Sequence, residues 1–195
     1  MQVASAAQAL GNSDFCGDQV GFWVRDSVAM LCILDGLGHG REAERAAKEV
    51  LRHVDQNLDL PLETLFASAD EAARDTRGAA MGLVLVDVKE RSLTHVGVGN
   101  TRGLLLDADS NSFHVFQNTN GIVGAGYQKL RLETIPFKSR DLLFLYTDGF
   151  PVSATSFFQA CQPAQPEELA TAFMRRCALG NDDAAVLVAR LETQE

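Results

Sequence analysis

Four aspartates at the edges of apolar runs constrain the fold of this chain more than any other feature. They are Asp18, Asp35, Asp148 and Asp182, and each of the first three adjoins a glycine. Carboxylates are costly to hold close together without a cation. A fold that gathers these strand ends at one edge would therefore build a site for a hard cation. Carboxylate, carbonyl and water ligands suit magnesium or manganese.

Each aspartate taken alone has a simpler explanation as a turn residue. The segment 35–40, Asp-Gly-Leu-Gly-His-Gly, could be only a strand-to-helix turn, since Gly38 and Gly40 tolerate the backbone angles that such a turn needs. The pattern recurs, however, at 147–149, where an apolar run again ends in Asp-Gly. Four aspartates at strand edges favour one shared metal site over four unrelated turns.

The bulk properties predict one soluble domain. The 195 residues, 46% of them hydrophobic, are enough for a single domain with a sizeable core, which we take to span residues 1–195. The sequence contains no apolar run of about 18 residues and no signal-peptide core at its start, which predicts a cytoplasmic protein. The net charge of −9 argues against nucleic-acid binding. The four cysteines form no CxxC pair, so structural zinc is not expected.

Hydrophobic periodicity predicts strands, two helices, many strands, one or two helices and a last strand. The predicted helices are Ala43–Leu58, one starting at Pro61, Phe150–Ala160 and Pro166–Cys177. The predicted strands are Val20–Val24, Val28–Leu34, Met81–Val88, Ser92–Val98, Gly103–Asp107, Phe113–Gln117, Leu130–Ile135, Leu142–Tyr146 and Ala184–Ala189. Strands and helices do not alternate, which disfavours a doubly wound parallel sheet. The order predicts an α+β fold in which two stacked antiparallel sheets carry helices outside.

The ordered motifs resemble those of a known enzyme family. Gly17-Asp18, Asp35-Gly36, Thr147-Asp148-Gly149 and Asp182-Asp183 occur in the order found in the PPM (type 2C) metal-dependent protein serine/threonine phosphatases. Together with the segments 35–40, 97–100 and 143–149, the chain is most similar to the bacterial branch that acts on phosphorylated STAS-domain proteins, and within it to RsbX-like stressosome phosphatases. The resemblance spans about residues 14 to 189.

The resemblance implies an α-β-β-α sandwich with two Mn²⁺ or Mg²⁺ ions at one end of its sheets. Asp35 would bridge both ions, Asp148 and Asp182 would serve one, and Asp18 with the Gly36 carbonyl would serve the other. Asp183 is not the expected ligand. A water activated by two metal ions would attack the phosphorus directly. This agrees with the lack of a GxSxG or Cys-x5-Arg nucleophile motif in the sequence.

The chain departs from eukaryotic members at two positions. Leu37 stands where they carry a His after the bridging Asp-Gly, so His39 is a candidate general acid, with capping of the turn before the helix as the alternative. No Arg precedes Arg25, so their N-terminal phosphate-binding Arg is absent and phosphate would be held mainly by metals and water. Asn100 is expected to serve a turn, although it could line the cleft.

The leading functional hypothesis is hydrolysis of phosphoserine or phosphothreonine on STAS-domain proteins of a stress-signalling scaffold, the stressosome. A non-catalytic partner-binding module on the same fold is the first alternative, and loss of metal-binding aspartates would favour it. Hydrolysis of a small phosphoester is the second. It ranks lower because the sequence contains no nucleotide-specific loop.

Overall fold

The computed structural model describes residues 1–11, 13–110, 112–151, 154, 157–158 and 164–192. Three helices are described: α1 (Arg41–Gln56), α2 (Leu62–Ala72) and α3 (Pro166–Cys177). The strands are β1 (Gln2–Gln8), β2 (Asp18–Arg25), β3 (Val28–Gly36), β4 (Ala79–Asp87), β5 (Ser92–Val98), β6 (Arg102–Leu106), β7 (Phe113–Val115), β8 (Gly121–Ile122), β9 (Gly126–Tyr127), β10 (Glu133–Pro136), β11 (Leu142–Tyr146) and β12 (Ala184–Arg190).

The strands form two five-stranded antiparallel sheets. The strand order is β1-β12-β11-β6-β7 in the first sheet and β10-β5-β4-β3-β2 in the second. A separate two-stranded ribbon, β8-β9, follows β7 in the chain. The two sheets and the helices confirm the predicted α-β-β-α sandwich.

The alternation of side chains along β3 explains why its sequence is apolar throughout. Leu31 and Ile33 pack between the two sheets, whereas Cys32 and Leu34 pack under α1 and α2. Successive side chains of a strand point to opposite faces, and both faces of this strand are covered. The first sheet is covered in the same way by α3, whose Phe173 is fully buried.

Helix α1 buries a stripe of small side chains against the second sheet. Ala43, Ala46, Ala47, Val50 and Val54 recur at helical spacing, and all are fully buried. Alanines on this face let the helix lie close to the strands. The helix begins directly after the glycine-rich segment 35–40, so its packing fixes the position of that segment.

Several boundaries differ from the prediction. Strand β1 was not predicted, and β10 begins at Glu133 rather than Leu130, because its pairing with β5 starts at Glu133 opposite His95. Strands β2 and β3 extend far enough to include Asp18, Asp35 and Gly36. Most of the predicted helix Phe150–Ala160 lies outside the described residues. None of the helices in the described ranges is long and apolar enough to cross a membrane.

Candidate metal centre

The β2–β3 hairpin places two of the four aspartates directly opposite each other. The strands are joined by a two-residue turn, Asp26-Ser27, and the register that begins at Arg25 and Val28 ends with Asp18 facing Asp35. Asp18 is 3% exposed, and Asp35 is half-buried. The hairpin therefore presents a pair of carboxylates at the far end from its turn.

The other two aspartates come from the neighbouring sheet. Asp148 follows β11 and Asp182 precedes β12, and these two strands are adjacent and antiparallel. The backbone N–H of Thr147 donates to the carbonyl of Ala185 (3.1 Å), and the Ala185 N–H donates to Thr147 Oγ1 (3.0 Å). These bonds hold the two strand ends together, so both aspartates emerge at the same edge.

A cleft of about 380 Å³ opens at this edge. Asp35, Asp148 and Asp182 line it, together with Leu37, Gly38, Asn100 and Ile122. Asp18 is more deeply buried beside them. The sequence prediction that the four aspartates share one edge of the sheets therefore agrees with their placement.

The carboxylates raise one another's pKa. Burial, followed by the negative charge of Asp35, raises the pKa of Asp18 to about 8. Burial, followed by the charges of Asp148 and Asp182, raises the pKa of Asp35 to about 7. Both shifts mean that the ionised forms lack sufficient compensating positive charge from the protein. A divalent cation would supply that charge.

The donor set fits a hard cation. Asp18 Oδ2 is buried and has no hydrogen-bond partner in the part of the chain that the structure describes, although buried carboxylate oxygens are normally satisfied. The described residues contain no group of three or more His, Cys, Asp or Glu side chains already converged as a closed metal-ligand cluster. The carboxylates thus lie near one another along one edge but do not converge on a single point. This is expected where nothing compensates the repulsion between their negative charges.

Gly36 lies beside Asp18 and cannot be replaced without moving helix α1. A Cβ on Gly36 would stand 2.1 Å from the carbonyl oxygen of Ala43. The Gly36 carbonyl oxygen itself lies 3.4 Å from the position that a Cβ on Gly17 would take. Gly36 follows Asp35 and Gly17 precedes Asp18, so this carbonyl lies next to the Asp18–Asp35 pair.

The Asp183 side chain accepts hydrogen bonds from the backbone and is not among the residues that line the cleft. Its Oδ1 accepts from the Leu10 N–H (2.6 Å) and its Oδ2 from the Gly17 N–H (2.7 Å), and the residue is 2% exposed. Both carboxylate oxygens are therefore used to position the strand that carries Asp18. That Asp183 does not bind a metal ion stays a prediction.

Asn100 has a place in the cleft that the sequence did not favour. Its Nδ2 donates to Asp148 Oδ2 at 2.7 Å, and the residue lines the cleft. The turn that carries Asn100 follows β5, so the contact joins the second sheet to an aspartate of the first. The glycines of the Gly97-Val98-Gly99-Asn100 segment were the only sequence signal for it.

His39 and Leu37 are arranged differently. Leu37 is 40% exposed and lines the cleft. His39 is exposed and is not among the residues that line the cleft. A catalytic role for His39 stays a prediction.

Comparisons with known proteins agree with this fold. The family model described as Stage II sporulation protein E (SpoIIE) matches residues 25–192. The phosphoserine phosphatase RsbX of Bacillus subtilis (strain 168) is 25% identical over 138 residues, which are 70% of this chain and 68% of the relative.

Three solved structures share the fold. A bacterial stressosome protein is 28% identical with a TM-score of 0.89, covering 97% of this chain and 98% of that chain. RsbX in complex with magnesium is 20% identical with a TM-score of 0.86, covering 97% and 94%. The catalytic domain of the phosphatase PstP with two manganese ions is 19% identical with a TM-score of 0.73, covering 98% of both chains.

The sandwich is the fold of the PP2C (PPM) phosphatases, as the sequence predicted. Because the family model covers most of its length, the chain belongs to the SpoIIE family.

Proposed function

We propose that this protein hydrolyses phosphoserine or phosphothreonine on STAS-domain proteins of a stressosome and depends on two Mn²⁺ or Mg²⁺ ions. The observation that carries the proposal is the edge of four aspartates, two of them directly opposite each other with raised pKa values. An arrangement this costly in the folded protein needs a functional reason, and cation binding supplies one.

The proposed ligands divide between the two sheets. Asp35 would bridge two ions, Asp148 and Asp182 would hold one of them, and Asp18 with the Gly36 carbonyl would hold the other. Bound divalent cations would lower the pKa of a water toward about 7 and offset charge on the phosphoryl oxygens.

Other residues of the chain set the geometry of these ligands. Asp183 fixes the backbone at Gly17, next to Asp18, through the 2.7 Å hydrogen bond. Asn100 orients the Asp148 carboxylate through its 2.7 Å hydrogen bond. Partners that orient metal ligands commonly alter metal affinity or activity when they are removed.

The substrate proposal draws on the relatives. RsbX, with which this chain aligns over 138 residues, is a phosphoserine phosphatase, and a structural neighbour at 28% identity belongs to the bacterial stressosome. The STAS-domain substrate rests on the motif resemblance. The open cleft suits a phosphorylated side chain presented by another protein.

The direct test is release of phosphate from a phosphorylated STAS-domain protein and from p-nitrophenyl phosphate, with Mn²⁺ and with chelator. We expect metal-dependent turnover on both. If the protein turns over neither substrate, the enzyme proposal is wrong. Turnover on the small ester alone would favour a small-phosphoester hydrolase.

Asp35→Asn tests the assignment of the bridging ligand. The amide removes a charged ligand at the point where both ions would be held, so we expect activity to fall about 100-fold or more. Mn²⁺ should raise the thermal midpoint of the wild type, because a ligand that binds only the folded state stabilises it, but not that of the variant. Asp14→Asn, at an exposed position, is the control. Near-full activity of Asp35→Asn would refute the assignment.

A further inference from the structure

We propose that Arg77 binds the phosphoryl group of the substrate at the rim of the cleft. The proposal rests on the proposed phosphatase function and adds a substrate-binding residue that the sequence motifs do not mark. Arg77 lies in the connection between α2 and β4, far in sequence from the aspartates of the first sheet.

The connection that carries Arg77 is held in place on both sides. Thr76 Oγ1 donates to the carbonyl of Ala73 (2.6 Å) and accepts from the Gly78 N–H (3.0 Å). The carbonyl of Gly78 accepts from the Leu37 N–H (3.0 Å), and Leu37 lines the cleft. Arg77 therefore sits in a fixed turn that is bonded directly to the cleft wall.

The opposite side of this turn contacts the second wall. A Cβ on Gly78 would stand 2.6 Å from Ile122 Cγ2, and Ile122 also lines the cleft. Gly78 has a φ of 78°, so this turn combines a close approach with a left-handed backbone. The residue before Gly78 thus lies where the walls at Leu37 and Ile122 meet.

The guanidinium of Arg77 reaches the cleft wall at a glycine. Its Nη1 lies 3.1 Å from the position that a Cβ on Gly38 would take. Gly38 lines the cleft and has no side chain of its own to cover the guanidinium. An anion that enters the cleft beside Gly38 would meet this cation.

The donors of Arg77 are available for a ligand. Among the described residues, its side chain forms no hydrogen bond and no ion pair, whereas Arg74 in the same connection pairs with Glu71 at 2.9 Å. Arg77 is exposed, so the side chain has room to turn toward a bound group. A guanidinium offers parallel N–H donors that match two oxygens of a phosphate.

Arg77→Ala and Arg77→Lys, with Arg74→Ala as the matched control, test the assignment in Mn²⁺-loaded protein. Loss of a charged hydrogen bond predicts a rise of about tenfold or more in KM for p-nitrophenyl phosphate and for a phosphorylated STAS-domain protein. The inhibition constant of orthophosphate should rise by a similar factor. Arg77→Lys should lose less phosphate affinity than Arg77→Ala, because lysine keeps the positive charge but lacks the parallel N–H donors of the guanidinium.

Calorimetric titration with orthophosphate separates this proposal from the phosphatase proposal. If the wild type binds orthophosphate more tightly than Arg77→Ala, the assignment stands even where no turnover is found, in which case only the phosphatase proposal fails. Equal orthophosphate affinity in both proteins would overturn it. So would a rise in KM confined to the protein substrate, because Arg77 would then contact another part of that substrate.

Discussion

Two adjacent aspartates show how environment decides the role of a residue. Asp182 lines the cleft, and its negative charge helps to raise the pKa of Asp35. Asp183, in contrast, accepts hydrogen bonds through both carboxylate oxygens from the backbone N–H groups of Leu10 and Gly17. The motif order predicts a ligand role for Asp182 and none for Asp183, and both stay predictions. The partners of Asp183 are more than 160 residues away in the chain, so no local pattern identifies them.

We expect a substitution of Asp183 to affect folding stability and a substitution of Asp182 to affect metal binding. Asp183→Ala leaves two largely buried N–H groups without an acceptor, which should lower the free energy of unfolding by about 2–5 kcal/mol. Asp182→Asn should change it by less than about 0.5 kcal/mol in metal-free protein and should weaken Mn²⁺ binding. Urea unfolding and metal titration measure the two effects. A larger loss of stability from Asp182→Asn would contradict these roles.

At the scale of elements, one carboxylate of helix α2 accepts two backbone hydrogen bonds from the ribbon β8–β9 and the residues between its strands. Asp70 Oδ1 accepts from the Gly124 N–H at 2.7 Å and from the Gly126 N–H at 3.3 Å. Both glycines have a positive φ, 98° and 89°, a region that favours glycine. The glycines of this segment are typical of a turn or a mobile loop and do not indicate a contact with α2. Its attachment depends on a helix more than 50 residues earlier in the chain.

Asp70→Ala should loosen the ribbon, and Glu71→Ala is its matched control. Glu71 is a neighbouring acidic residue whose partner, Arg74, lies on the surface. We expect faster amide hydrogen exchange at Gly124 and Gly126 in Asp70→Ala only, because their acceptor is gone. Ile122 of the same ribbon lines the cleft, so KM should rise as well. Unchanged exchange at both amides would show that Asp70 does not hold the ribbon.

The sequence predicted most strands because their residues are β-branched, aromatic or leucine, but it missed the two-residue strands β8 and β9 and the longer strand β1. That strand consists largely of small and polar residues, QVASAAQ, and its exposed and half-buried positions follow no strict alternation. It forms a strand because it pairs with β12 along its whole length, from Gln2 opposite Arg190 to Gln8 opposite Ala184. Such context overrides weak β propensity, and a single sequence does not show it.

At the scale of the whole molecule, a histidine is buried between the two sheets. His95 of β5 is 1% exposed and stacks on Phe116 with the ring centroids 4.6 Å apart. Among the described residues its Nδ1 has no hydrogen-bond partner, and burial, followed by the nearby His114, lowers its pKa from 6.5 to about 4.

This histidine should make the protein sensitive to acid. Between pH 6.5 and 4 the unfolded chain binds a proton at His95 that the folded chain does not, so stability falls as the pH falls through this window. The difference in unfolding free energy between pH 7 and pH 4.5 should shrink by about 2–3 kcal/mol in His95→Phe. The partly exposed His53 supplies the control variant, His53→Gln. An undiminished acid sensitivity in His95→Phe would contradict the prediction.

The β2–β3 hairpin restricts which insertions and substitutions this protein can accept during evolution. Because side chains alternate between faces, a slip of one residue would turn one carboxylate of the Asp18–Asp35 pair away from the other. The two-residue turn at Asp26-Ser27 sets that register from the opposite end of the strands. An insertion there would act on the candidate metal centre without touching it. The tip of this hairpin is therefore constrained in length, and the φ of 52° at Asp26 also restricts its composition.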